Sequence, residues 1–508
     1  MATLHPNFSR HGSPRSAKVC GWVLGLLPLL FLLPAHPVGA QQPNVLFISI
    51  DDLNAFPIGG HPDVIAPNLD RLAAAGVSFT NAQAPAPGCN PSRVATFTGI
   101  SPTTSGIHFN FEHDFRAISP MLTNAVTLFQ HFKNHGYEII GTGKMFHTGS
   151  DQPDTDWDWY GGFTAVHFPD PARFPLNGIA GVDVNSDGRV LIDTLDWGTL
   201  EAPGEPDISD QTIEFVRAEW AADRIAETHT TPIFISLGFS KPHIPWYVPK
   251  RFFDLFPGPV TPVPYLPGDL NDVANPLGEG VIHADLVAAG ATNDAVRAYL
   301  ASIAFVDEAL GIVLDAWEAS TEDWLVIVWG DHGFMLGEKD RWLKAVLWEE
   351  ANRTPLMMAG PGIPAGLEID MPASLLDIYP TMIEQASLTP KPELEGRSLV
   401  SLIANPTASF QDIPVVSDSR GDHLSYRSQR WRYMEHQTGS EELYDHDIDP
   451  NEWNNLAGDP QYDSLILWLT PEPGFAVGIG LGLLTLCALR DRSLRASHSS
   501  VRVPRVPD

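Results

Sequence analysis

The 508-residue chain predicts an α/β sandwich: a large, mostly parallel sheet flanked by helices, followed by a small C-terminal α+β domain. Three observations carry this. Continuous apolar runs of strand length recur along the chain, stretches with helical spacing of apolar residues lie between them, and from about Phe410 the texture changes to short strands, turns and aromatics. A strand buried on both faces has no polar side, so an unbroken apolar run marks it better than alternation does. Strands that alternate with helices of this length build parallel sheets covered on both faces.

The elements follow in order. Asn44 to Ile50 is the first such run. Leu69 to Ala75 reads as a helix closed by Gly76, and Thr127 to His135 as another closed by Gly136, since glycine accepts the left-handed conformation that ends helices. Tyr137 to Thr142, Pro232 to Gly238 and Trp324 to Trp329 are further strands. Between the last two, a helix runs from about Asp294 to Trp317 with apolar residues at helical spacing.

The ends fix the compartment. Arg10, Arg15 and Lys18 precede the apolar run Val19 to Leu33, and Val38-Gly39-Ala40 supplies small residues where a signal peptidase cuts, so residues 1–40 read as a secretory signal. Its apolar part is short for a membrane span. At the other end Pro471-Glu472-Pro473 precedes the apolar stretch Gly474 to Leu489 and then Arg490, Arg492 and Arg495. Triplet, apolar run and arginines resemble the PEP-CTERM sorting tail of some bacteria; an ordinary C-terminal anchor is the alternative. Residues 41–408 are then the α/β domain, 409–470 the small subdomain and 471–508 the tail. The resulting protein is exported to the periplasm, cell surface or exterior and meets the export and sorting machinery.

Composition excludes one class of partner. With 31 Lys+Arg against 62 Asp+Glu and a formal net charge of −31, the surface repels nucleic acid and anionic membranes. Of the 3 cysteines, Cys20 and Cys487 lie in the apolar ends. Cys89 has no partner for a disulfide. A lone thiol in an exported protein asks for a reason beyond packing. Gly88, Asn90, Pro91 and Ser92 around it describe a tight polar turn.

Chemistry gathers where the apolar runs stop. The first ends in Asp51-Asp52, the second leads to Lys144 and His147, the third to Lys241 and His243, the fourth to Asp331-His332. Ligands of open α/β sheets sit at the carboxyl ends of the strands. Packing alone has no reason to place polar groups at four such ends. Asp51, Asp52 and Asp331 offer the hard oxygen ligands that Ca²⁺ or Mg²⁺ prefer, while His332 by ligand type alone suits a softer metal. Asp183 to Gly188 begins like an EF-hand loop, but Thr194 stands where the loop needs a glutamate, so a plain Asx-rich turn is the reading.

Cys89-Asn90-Pro91-Ser92-Arg93 with Thr98-Gly99 resembles the signature of the type I sulfatase family, in which the cysteine is oxidised to formylglycine. Lys144 to Gly149, Lys241-Pro242-His243-Ile244-Pro245, and Asp331-His332-Gly333 through Glu338 to Lys344 resemble the iduronate-2-sulfatase branch; many other sulfatases carry asparagine where His332 stands. Glu442 to Asp445, Asp449-Pro450 and Asn455-Leu456 look like the family's closing motif. The likeness spans about residues 43–460. Phe334 departs from it, standing where relatives carry tryptophan, and the disulfides of animal enzymes cannot form.

The resemblance implies an alkaline-phosphatase-like sandwich and hydrolysis of sulfate esters of sulfated poly- or oligosaccharides, with 2-O-sulfated uronic acid as the expected substrate. Cys89 would be matured by a formylglycine-generating or an anaerobic sulfatase-maturating enzyme. Of the two hydroxyls of its hydrate, one would attack sulfur and the other would be deprotonated to expel sulfate. Asp51, Asp52, Asp331 and His332 would hold Ca²⁺ together with the modified Cys89. Arg93 would hydrogen-bond the hydrate, and Lys144 and Lys344 would neutralise sulfate oxygens. His147 would act as base and His243 would donate to the leaving sugar oxygen with Lys344, two roles that exchange without contradicting the sequence. A phosphate or phosphonate ester hydrolase of the same superfamily, and an inactive carbohydrate-binding relative, are the alternatives.

Overall fold

A computed structural model describes residues 42–148, 154–161, 174–175, 195–274, 276, 281–406 and 412–470. The expected signal at 1–40, the motif position Gly149, the Asx-rich turn at 183–194 and the tail at 471–508 lie outside the described residues.

An eight-stranded sheet organises the chain. Its strands are β1 (Asn44–Ile50), β2 (Val77–Phe79), β3 (Glu138–Gly143), β4 (Trp159–Tyr160), β5 (Ile233–Phe239), β6 (Trp324–Gly330), β7 (Leu356–Ala359) and β8 (Leu367–Ile369). Across the sheet they lie in the order β8-β2-β7-β6-β1-β5-β3-β4. The central strands are all parallel: β1 runs alongside both β6 and β5, and β5 alongside β3. Only β7 runs against its neighbours, β6 and β2. The sheet is therefore mostly parallel, as the apolar runs predict.

β1 shows why its run is unbroken. Leu46, Ile48 and Ile50 pack into one core and Val45 and Phe47 into the other. The first core is covered by α1 (Pro67–Ala75), α4 (Ile213–Ile225) and the long α5 (Thr292–Ala319); the second by α2 (Cys89–Thr98), α3 (Leu128–Asn134) and α6 (Ile378–Gln385). Every residue of β1, β5 and β6 is buried. Burying such side chains contributes about 1.5–3 kcal/mol each, which is where the stability of this layer comes from.

Helix ends obey local chemistry. The Thr127 hydroxyl accepts from the Gln130 N–H and caps α3. Asp307 of α5 accepts from the N–H groups of Asn68 and Leu69, at 3.0 and 2.8 Å, and so serves the first turn of α1 from across the core.

The C-terminal texture is a four-stranded antiparallel sheet, β9 (Val415–Ser419), β10 (His423–Arg427), β11 (Trp431–His436) and β12 (Glu441–Asp445), followed by α7 (Asp463–Leu469). Its joint with the larger layer is ionic and buried. The fully buried Arg432 guanidinium pairs with Glu349, lies 2.7 Å from Glu452, and donates to the carbonyl of Leu347 at 3.0 Å and to Gln83 at 3.0 Å.

One local expectation needs correction. The segment at Cys89 is not a free-standing polar turn but the first turn of α2, with Gly88 extended before it and Cys89 wholly buried. Proline is tolerated in a first turn because its missing N–H has no intrahelical partner there.

Candidate functional site

Strand order does most of the assembly. β6, β1, β5 and β3 are neighbours, and parallel pairing puts their carboxyl ends on one edge. That edge receives Asp51 and Asp52 from β1, Asp331 and His332 from β6, Lys144 from β3 and His243 from the loop after β5. The structure brings all of them together with Cys89, Arg93 and Lys344.

The signature helix is built to meet this edge. The Ser92 hydroxyl donates to the Asp331 carbonyl at 2.5 Å, pinning α2 to the end of β6. Thr98 donates to the Val94 carbonyl at 2.7 Å, and Gly99 closes the helix in the left-handed region at φ 70°. Each fixed residue of the motif thus has a local task, and the outcome is a Cys89 side chain at a helix N-terminus, where unpaired N–H groups favour negative charge.

Around Cys89 the distances are short. Lys344 Nζ lies 3.1 Å from its Sγ, His332 Nε2 3.3 Å and Asp52 Oδ1 3.8 Å. Lys344 Nζ also donates to Asp52 Oδ1 at 2.5 Å, and Lys144 Nζ to Asp51 Oδ2 at 2.5 Å. His243 Nε2 lies 3.8 Å from Asp52 Oδ2. Backbone strain concentrates here as well. Asp52 has φ 60°, and Lys344 stands between Leu343 at φ 75° and Ala345 at φ 68°. Residues with a Cβ hold such angles only where surrounding contacts impose them. For Asp52 those contacts are its N–H to Asp331 Oδ1 at 3.0 Å and its carbonyl to the Tyr299 hydroxyl at 2.7 Å.

Arg93 is a framework piece. Its Nε donates to Asp331 Oδ2 at 2.8 Å, Nη2 to Asp51 Oδ1 at 3.2 Å, and Nη1 to the carbonyls of Lys144 and Met145 at 2.5 and 2.8 Å. One planar fork therefore fixes three strand ends. No hydrogen bond joins it to Cys89 among the described residues.

Electrostatics at the site are set by burial against pairing. Burial opposes the charge of Asp51, but Lys144, His243 and Arg93 outweigh it and hold the carboxyl well below its usual range. Asp52, likewise buried, is held at about 2 by His243, Lys344 and His332. Burial pushes the Cys89 thiol far up, so the unmodified side chain is no thiolate nucleophile at neutral pH. Burial, with Lys144 next, lowers His147 to about 3, and burial lowers His243 to about 4. His243 Nδ1 meets the Ile244 carbonyl at 2.6 Å, which leaves a lone pair on Nε2 facing the site.

A divalent cation fits these residues. Asp52 Oδ2 is buried without a hydrogen-bond partner, an arrangement that costs free energy unless something positive completes it. His332 Nδ1 meets the Gly333 carbonyl at 2.8 Å, so its Nε2 presents a lone pair 3.2 Å from Asp52 Oδ1. Ligand atoms of Asp51, Asp52, Cys89 and His243 lie within 4.8 Å of one another, as do those of Cys89, Asp331 and His332. Sequence reading leaves His243 out of this group; geometry puts it at the edge.

Two further residues differ from the sequence reading. His147 stands further out, its ring stacked on His113 at 6.0 Å, with no hydrogen bond to Cys89 among the described residues. Phe334 is fully buried and stacks on Tyr299 at 5.6 Å beneath the site, so its departure from the family pattern changes packing and not the wall of the open cleft. Sequence reading misses that wall. An open cleft of about 310 Å³ at the N-terminal end of α2 is lined by Gly88, Lys344, His108, Phe111 and Arg420, and His108 to Phe111 carry no periodic signal that would single them out.

Comparisons with known proteins agree with this geometry. A family model described as sulfatase matches residues 43–388, and one described as N-sulphoglucosamine sulphohydrolase, C-terminal, matches residues 337–472. A sulfatase of Formosa agariphila is 36% identical over 441 residues, 84% of this chain and 85% of its own. The human iduronate 2-sulfatase is 29% identical over 387 residues, 71% of this chain and 67% of its own. Among solved structures, the phosphonate monoester hydrolase of Agrobacterium radiobacter shares the fold, with a TM-score of 0.65 at 22% identity over 84% of this chain and 93% of that one.

Proposed function

We propose that this chain, which belongs to the sulfatase family, hydrolyses sulfate esters of sulfated carbohydrates and takes 2-O-sulfate from a uronic acid at a chain end. The observation that carries the reading is Cys89 itself: buried at a helix N-terminus, with Lys344 at 3.1 Å, His332 at 3.3 Å and Asp52 at 3.8 Å from its sulfur. The uronate preference draws on the Lys144, His243 and Asp331-His332 motifs and on the likeness to iduronate 2-sulfatase.

Formylglycine at position 89 would supply a hydrated aldehyde whose hydroxyl is the nucleophile, and a Ca²⁺ held by Asp51, Asp52, Asp331 and His332 would supply positive charge toward the sulfate oxygens and that nucleophile. The chain's own residues do the rest. Lys144 and Lys344 are held protonated by Asp51 and Asp52 and face the charge that develops on sulfate. Arg93 keeps Asp51 and Asp331 from moving. His243, neutral with its Nε2 lone pair toward the site, accepts a proton before it can donate one to the leaving sugar oxygen. Lys344, already protonated beside Cys89, is the more direct donor. His147 serves as base from the outer side.

The protein meets its substrate outside the cytoplasm, after export under the signal at 1–40 and sorting through the tail at 471–508, and Cys89 is matured by a formylglycine-generating or anaerobic maturating enzyme. Mass spectrometry of the peptide containing residue 89, joined to sulfate release from an array of 2-O-, 4-O- and 6-O-sulfated uronates and hexoses, tests the reading. An aldehyde with release from 2-O-sulfated uronate bears it out. Equal activity on neutral hexoses sinks the uronate assignment, and turnover of phosphonate monoesters alone sinks the sulfatase one.

A further inference from the structure

The cleft that Gly88 and Lys344 line also has a wall that the proposed chemistry does not use, and Arg420 stands on it together with Phe111. Arg420 opens the three-residue loop joining β9 to β10, in which Ser419 pairs with His423. Its φ is 65°, and that of Gly421 is 85°. The left-handed region disfavours residues with a Cβ, and such turns ordinarily carry Gly, Asn or Asp. An arginine held there is a local cost that a functional contact explains. Gly421 is required for a separate reason: a Cβ on it would come within 2.9 Å of the His108 ring. The hairpin is therefore pressed against His108, which fixes where its tip stands.

Neither carboxylate flanking Arg420 forms an ion pair with it. Asp418 is buried and accepts from the Gly421 N–H at 2.8 Å and the Thr103 hydroxyl at 3.1 Å, with His108 Nδ1 at 3.5 Å. Asp422 Oδ1 lies 3.2 Å from His423 Nε2. Among the described residues Arg420 has neither ion pair nor hydrogen bond. In a chain with 62 acidic against 31 basic residues, a guanidinium left without a carboxylate at the mouth of an active cleft marks a place where a negative ligand is due. In the same cleft Phe111 is 71% exposed and stacks on Phe109 at 5.0 Å and 13°. A braced, exposed ring offers the C–H face of a sugar an apolar surface that costs little entropy to use.

We propose that Arg420 is the specificity-determining residue of this site, binding a second anionic group of the sugar whose sulfate ester sits at Cys89, with Phe111 against the ring. This rests on the sulfatase reading and names what it leaves open, the partner of the second charge. A guanidinium fork pairs with a uronate carboxylate or with a second sulfate through two parallel N–H···O contacts.

The test uses the matured enzyme, wild type and with Arg420→Met or Arg420→Lys, on two pairs of sugars. One pair is a 2-O-sulfated uronate and its carboxyl-reduced form; the other is a hexosamine with two sulfates and with one. The wild type is expected to prefer the more anionic member of one pair by about tenfold or more in kcat/KM. Arg420→Met is expected to bring that preference to within about twofold, mainly through KM, and Arg420→Lys to keep part of it. Which pair responds identifies carboxylate or sulfate as the bound group. A preference unchanged in Arg420→Met, or sulfate release by the wild type with no preference in either pair, overturns the subsite and leaves the sulfatase reading standing. No release from any of the four overturns both.

Discussion

Arg93 Nε donates to Asp331 Oδ2 at 2.8 Å, joining the signature helix to the end of β6 through two side chains that are both fully buried. The same guanidinium reaches Asp51 at 3.2 Å. Arg93→Lys keeps the charge but loses the fork, so Asp51 and Asp331 cannot both be held. Breaking a buried pair of this kind costs about 3–5 kcal/mol. We expect that loss in urea denaturation together with weaker metal retention. A variant as stable as the wild type would show that the two carboxylates are positioned without it.

Lys344 is expected to contribute to reaction more than to folding. Its Nζ sits between Asp52 and Cys89, on a loop and partly reached by solvent. Lys344→Ala is expected to lower kcat by about 10²–10³, the scale for removing one group that stabilises developing charge, with near-normal circular dichroism. A loss carried by KM alone would place Lys344 in substrate binding and not in the chemical step.

A metal prediction follows from the donor set. Three carboxylates outnumber one imidazole, so elemental analysis of the purified protein is expected to give one Ca²⁺ per chain. Stripping it with a chelator is expected to abolish activity and lower Tm, because the charge of Asp52 is left unanswered at Oδ2. Stoichiometric zinc without calcium would mean that His332 decides the ion.

The edge of the sheet was legible in the sequence for a simple reason. β1, β3, β5 and β6 are buried on both faces, so their apolar runs stop abruptly at Asp51, Lys144, Ser240 and Asp331, where the polar edge begins. Antiparallel β7 was not legible: Leu356 to Ala359 is a run of four after Pro355, too short to separate strand from helix by periodicity. The framework role of Arg93 was hidden because its partners come from three other elements. Arg420 was hidden more deeply. One charged residue in a polar turn carries no pattern, and only folding of the C-terminal sheet onto the catalytic layer brings it to the cleft that Gly88 and Lys344 line.

That joint makes its own prediction. Arg432 is fully enclosed and pairs with Glu349 and Glu452, and both carboxyls are held below their usual range against burial, Glu349 chiefly by Arg427 and Arg432 and Glu452 chiefly by Arg432. Arg432→Met removes one cation and leaves two buried carboxylates short of partners. A loss of about 3–5 kcal/mol is expected by denaturant titration. Replacing Glu349 and Glu452 by Gln in the same variant is expected to recover part of it. No recovery would mean that packing, and not charge, carries the joint.

The last prediction concerns acid stability. His131, on α3, is buried close to His135, with ring centroids 4.4 Å apart. Burial first, and the positive neighbours His135 and Lys391 after it, bring its pKa down to about 4. The unfolded chain takes up this proton below about 6.5, so between about 6.5 and 4 unfolding binds a proton that the folded state refuses. The group therefore leaves stability untouched above about 6.5 and lowers it as pH falls through that window. Each unit is worth at most about 1.4 kcal/mol, and screening by nearby solvent reduces it, so the wild type is expected to lose about 1 kcal/mol more than His131→Gln between pH 7 and pH 5. Denaturation curves of both proteins at the two pH values measure the difference. Equal losses would show that His131 is protonated in the folded state as readily as in the unfolded one.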